Sequence, residues 1–147
     1  MRKGMRIMVW ILVWLWAVPS LRADETVVAK VTIIVASNKG NDFNLENDAF
    51  RDQLKQVFSY SSYEQVKEYS LRLEKVKQEV LTIPGDYQFV LTYRGQQRGK
   101  TLIGALIQKD GRKFLSTDVI INGTGPVFLG GPPLDSGELL IVIETLP

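Results

Sequence analysis

The chain contains no cysteine and no histidine. Without an imidazole or a thiol, Ser-His-Asp and Cys-His nucleophilic systems have no group to move a proton near neutral pH. His- and Cys-ligated zinc, haem and iron–sulfur sites lose their ligands, and disulfide exchange is impossible. Small exported domains often depend on disulfides. A cysteine-free exported domain therefore fits a bacterial envelope better than an animal secreted module. Tryptophan is confined to the start of the chain, at Trp10, Trp14 and Trp16. There is no low-complexity tract and no internal repeat.

The opening segment reads as a cleavable export signal. Arg2, Lys3 and Arg6 make a basic start, and residues 7–18 form an unbroken apolar run of 12 residues. Pro19 and Ser20 break the run, and Ala23 is a small residue at a cleavage point. The run is shorter than the roughly 20 apolar residues a permanent membrane helix needs. No cysteine is present to carry a lipid anchor. The expected division is a signal peptide at 1–23 and a single soluble domain at 24–147, periplasmic or secreted, with no membrane span after cleavage.

Removing residues 1–23 changes the charge. The whole chain has 18 Lys and Arg against 16 Asp and Glu, but four of the cations and none of the acids lie in the leader. The mature part has 14 cations and 16 acids, a formal charge of −2. No Lys/Arg run of the kind that tracks phosphates remains, so nucleic acid is not an expected partner. All the tryptophan leaves with the leader. The mature core must rest on Phe, Tyr, Leu, Ile and Val, and a chain of this length suits one domain.

Hydrophobic periodicity places the elements. Residues 27–37 (VVAKVTIIVAS) are rich in β-branched side chains, and residues 31–35 are nearly apolar on both faces, which predicts a central strand. Asn44 can cap a helix in which Leu45, Ala49, Phe50, Leu54, Val57 and Phe58 recur at helical spacing up to about Ser59. From there the period is two. Strands are expected at 63–73, 78–83, 87–94, 101–108, 113–121 and 138–145. Pro84-Gly85 and Asp110-Gly111 are turn pairs. A loop is expected at 95–99, and Asn122-Gly123 turns the chain again. Residues 127–129 form a short apolar piece before the Gly130-Gly131-Pro132-Pro133 run. The expected class is α+β: a mostly antiparallel, sandwich-like sheet of about seven strands with one helix after the first strand. The first and last strands, both highly apolar, are expected to pair.

Few groups remain that could carry chemistry. Asp86, Asp110, Asp118, Asp135, Glu138 and Glu144 could in principle supply an acid pair of the glycosidase type, although turn chemistry accounts for the turn aspartates. The oxygen-rich stretch from Asn38 to Asp48 lacks calcium-loop spacing and reads as a loop plus helix start. The glycines between Gly123 and Gly131 lack the Lys-Ser/Thr of a phosphate loop. No metal and no cofactor is expected. The alternating Tyr87, Phe89, Leu91 and Tyr93 read as core. Tyr60, Tyr63 and Tyr69 are more open to partner contact, and residues 63–73 carry enough charge to be an edge strand. Tyr63, Lys67 and Tyr69 are the candidate partner-binding edge, by strand addition.

Two stretches carry a resemblance. Residues 125–132 (GPVFLGGP) followed by 137–143 (GELLIVI), together with the opening VTIIVASNKG, resemble short exported bacterial proteins of unknown function. GPVFLGG is also similar to the glycine-containing strand turns of outer-membrane secretins, which implies an envelope assembly setting, though the long channel domain is missing. The functional expectation is an exported, non-catalytic binding or accessory module of the bacterial envelope with an envelope protein as partner. The alternatives are a small carboxylate-dependent hydrolase acting on envelope glycans and a self-associating surface protein.

Overall fold

The computed structural model describes residues 25–46, 48–135 and 137–146. The leader and its cleavage point lie outside them. Nine strands and one helix run in the order β1 (Thr26–Ser37), β2 (Phe43–Asn44), α1 (Ala49–Val57), β3 (Ser62–Glu74), β4 (Gln78–Ile83), β5 (Tyr87–Gln97), β6 (Lys100–Lys109), β7 (Arg112–Asn122), β8 (Val127–Leu134) and β9 (Gly137–Thr145). They form a five-stranded sheet A, β2-β3-β1-β9-β8, and a four-stranded sheet B, β4-β5-β6-β7. All neighbours are antiparallel except β2 with β3.

The two sheets pack face to face. Val31 and Ile33 of β1 and Ile141 of β9 meet Phe89 and Leu91 of β5 and Ile103 of β6 in one core. Side chains alternate along a strand, so the opposite face of sheet A needs its own cover. It has one: Ile34, Ala36, Leu140 and Val142 pack with Phe50 and Leu54 of α1 in a second core. The layers run helix, sheet A, sheet B. This explains why β1 is apolar on both faces: it lies between β3 and β9 in the middle of sheet A, and both cores use it. The named residues of both cores lie between Val27 and Ile143.

The first and last strands do pair, from Ala29 with Thr145 to Ser37 with Gly137. Asp110-Gly111 closes the β6–β7 hairpin with φ of 50° and 74°, the left-handed pair a type I′ turn requires. The helix is shorter than its apolar pattern suggests. Phe43 and Asn44 lie extended beside Tyr63 and Glu64, so Asn44 belongs to β2, and Asp48 stands at the helix start without a side-chain cap bond. Leu45 and Phe58 still reach the second core from either side of α1. The expected loop at 95–99 is also largely strand. Gly95, at φ 103°, sits at a register shift between β5 and β6, and Arg98-Gly99 alone makes the turn, at φ 52° and 75°. The glycine–proline run at 130–133 lies inside β8, across a second irregularity against β9. That bend, like the prolines, belongs on an edge strand, and β8 is one.

Candidate functional site

The proposed edge of three residues divides in the structure. β3 is flanked on its outer side only by the two residues of β2, opposite Tyr63 and Glu64, so from Gln65 onward it is an open edge among the described residues. Tyr63 is not available there. It is fully buried in the second core, donates its hydroxyl to Phe58 O at 3.0 Å, and lies 5.7 Å from Phe43, ring to ring. A tyrosine at the start of a strand next to a helix end serves as a hydrogen-bonded core residue, and alternation alone could not separate that from an exposed edge.

Lys67 and Tyr69 lie farther along the same strand. The Lys67 ammonium sits 4.8 Å from the Tyr69 ring centroid. Tyr69 is half-buried against the main core and donates to Thr82 O of β4 at 3.2 Å, closing the gap between the sheets. Lys67 is exposed. The pairing of β3 with β1 shifts between Ile33 and Ile34, which leaves Val66 as the extra residue of a bulge. A bulge and flanking charges such as Lys67, Glu68 and Arg72 are common ways to discourage edge pairing. The edge is open but blunted.

The candidate carboxylates are spread over the fold. Glu138 accepts a 2.7 Å hydrogen bond from the Tyr60 hydroxyl. That bond, then burial and the adjacent carboxylate charge, raise the Tyr60 pKa. Asp118 lies 3.5 Å from Arg94 Nε. Asp86 and Asp110 occupy positive-φ turn positions at 61° and 50°, which aspartate tolerates better than most residues. Among the described residues no cluster of three metal-ligating side chains occurs. Among the described residues no helix is long and apolar enough to cross a membrane.

A different surface stands out once the layers are known. The outer face of sheet A carries α1, but no described element covers the outer face of sheet B. Positions 89, 91 and 93 of β5 point into the main core, so 88, 90, 92 and 94 point outward. Across the strands Val80, Val90 and Leu106 stand in one row, with Leu102 opposite Ile120 toward one end. Val80 and Ile120 are 53% and 55% exposed.

Cations lie at both hairpin ends of sheet B, and the exposed Arg94–Asp118 pair lies between its two apolar groups, while Lys109 and Tyr87 fall on the core-facing register. Arg98 and Lys100 border a shallow hollow with Leu102 and Ile120 at the β5–β6 turn. At the β6–β7 turn, Lys109, Arg112 and Lys113 border a second hollow with Tyr87, Phe114 and Asp110. Lys109 lies 5.0 Å from the Tyr87 ring centroid, and Phe114 is 48% exposed. Among the described residues none of these five cations forms an ion pair, whereas Arg94 pairs with Asp118.

The charge count differs between the sheets. Residues 78–122, which hold the four strands of sheet B, carry six Lys and Arg and four Asp and Glu, a net of +2. Residues 24–77 and 123–147 together carry eight cations and 12 acids, a net of −4. The whole-chain count hides this division, and counting charge strand by strand would have found it. No protein-family model matches the chain, and no curated protein or solved structure matches it significantly.

Proposed function

We propose that the protein is an exported, non-catalytic binding module, an accessory part of the bacterial envelope, that meets its partner through the uncovered outer face of sheet B. The observation that carries this reading is the coincidence of three features of sheet B: half-exposed apolar side chains on its outer face, cations at both hairpin ends that pair with no acid among the described residues, and no described element over that face. A contact surface commonly has an apolar centre and a charged rim. Two further observations support a binding role over hydrolysis. The chain lacks imidazole and thiol, and turn geometry or a neighbouring side chain accounts for Asp86, Asp110, Asp118 and Glu138.

Photo-crosslinking in the native host tests the reading. A photoreactive residue at Ile120 is expected to give discrete adducts with an envelope component, and one at Lys55 on α1 none. Adducts from Lys67 instead of Ile120 would return the contact to the β3 edge. Cleavage of an envelope glycan that Glu138→Gln or Asp118→Asn abolishes would overturn the non-catalytic role.

A further inference from the structure

Resting on the reading that sheet B is the contact face, we infer that its partner is the surface of an anionic phospholipid bilayer, on which the sheet lies with both hairpin ends touching lipid. The face is about 30 Å long and about 15 Å wide, from 10 to 11 residues per long strand and four strands. Arg98 and Lys100 mark one end and Lys109, Arg112 and Lys113 the other. A protein partner would need acids matched to two clusters that far apart. A bilayer surface offers phosphate everywhere and needs no such match.

The side chains suit that surface. Lys and Arg can keep their charged heads at the phosphate level while their stems lie along apolar ground. Ile120 toward one end, Phe114 at the other and Val80 between them are half-exposed apolar groups able to enter the headgroup boundary. Interfacial binding of this kind combines modest apolar insertion with attraction to anionic lipid. The −4 charge of the segments outside sheet B favours one orientation. An anionic bilayer repels the helix side and attracts the sheet B side. Arg94 does not join the contact, because it lies over Gly104 and pairs with Asp118.

The test is flotation with vesicles, using protein expressed with its own leader and purified in the form the host leaves. Vesicles of phosphatidylcholine alone are compared with vesicles containing about a third phosphatidylglycerol. The inference expects binding to the anionic vesicles only, falling steeply between about 0.02 M and about 0.3 M salt as screening sets in. A surface cation near anionic lipid contributes roughly fivefold in partitioning. Arg98→Glu with Lys100→Glu should therefore weaken binding by about 25-fold or more, and Arg112→Glu with Lys113→Glu by a similar factor. All four positions are exposed, and unchanged circular dichroism verifies the fold of each variant. Lys55→Glu on α1 should leave binding unchanged.

Absence of binding to anionic vesicles at low salt would overturn the inference. So would binding that neither double reversal alters, or an effect confined to one hairpin end. If vesicles fail while Ile120 still crosslinks to an envelope protein, the lipid assignment falls and the sheet B contact stands. If the basic face instead takes the acidic side of a second copy, sedimentation will show a concentration-dependent oligomer that both reversals dissolve, and the lipid assignment falls.

Discussion

Replacing Leu54 with alanine probes whether the helix layer is an integral part of the fold. α1 has nine residues, no side-chain cap bond at its start, and two buried residues, Phe50 and Leu54. A helix this short is not stable alone in water, so packing must hold it. Leu54 is fully buried, and its neighbours Ile34, Leu140 and Val142 belong to β1 and β9, the same strands that build the main core from their other face. Truncation to alanine removes about three carbons' worth of burial and leaves a cavity, a loss of about 2–5 kcal/mol. Stability for a domain of this length is about 6–18 kcal/mol, so the loss is a large fraction. Because β1 and β9 serve both cores, the loss should appear in the single global transition. Urea unfolding followed by circular dichroism should show a midpoint about 1–2 M lower with an unchanged slope. Val57→Ala, on the same helix at 62% exposed, should stay within about 0.5 kcal/mol of the parent. A Leu54→Ala loss under about 1 kcal/mol would mean that α1 detaches locally, and the coupling of the two cores through β1 and β9 would be refuted.

Further outcomes follow from single contacts. A Cβ on Gly137 would overlap the Ala36 carbonyl oxygen and crowd the Ser37 Cα at 3.1 Å, forcing β9 away from β1 where they pair. Gly137→Ala should cost about 2 kcal/mol or more in urea unfolding, against the small gain that loss of a glycine usually brings. The raised pKa of Tyr60, caused first by its bond to Glu138, means that the folded state favours the protonated phenol. That contribution is complete below the ordinary tyrosine pKa of about 10 and is lost as pH rises through the higher folded value. Stability measured against alkaline pH should fall less steeply in Tyr60→Phe, with Tyr93, raised mainly by burial, supplying the remaining slope.

How much of this was legible in the sequence depended on whether a signal was local. β1 announced its central place because residues 31–35 are nearly apolar on both faces, which suits a strand between two layers. Asp110-Gly111 and the buried Phe89, Leu91 and Tyr93 were equally local signals. Tyr63 was different. Its strand position allowed an exposed edge or a core place, and the return of the chain from α1 decided the matter. The helix start was misplaced for a related reason: pairing of Phe43 and Asn44 with β3 overrode their helical spacing. Gly95 and the 130–133 run looked like loop residues because glycine and proline mark bulged strands as well as turns. The basic face lay beyond local pattern. Its cations are scattered between Arg94 and Lys113, and only folding of β5, β6 and β7 into one uncovered sheet gathers them.

The central claim is that sheet B, not the helix side, meets the partner surface. Because the native chain has no cysteine, a single Ile120→Cys or Lys55→Cys change accepts exactly one nitroxide label. With anionic vesicles present, the label at 120 should gain contact with dissolved oxygen and lose contact with a water-soluble nickel chelate, while the label at 55 stays as in solution. A label at 120 that remains fully water-accessible, or one at 55 that moves into lipid, would contradict the account.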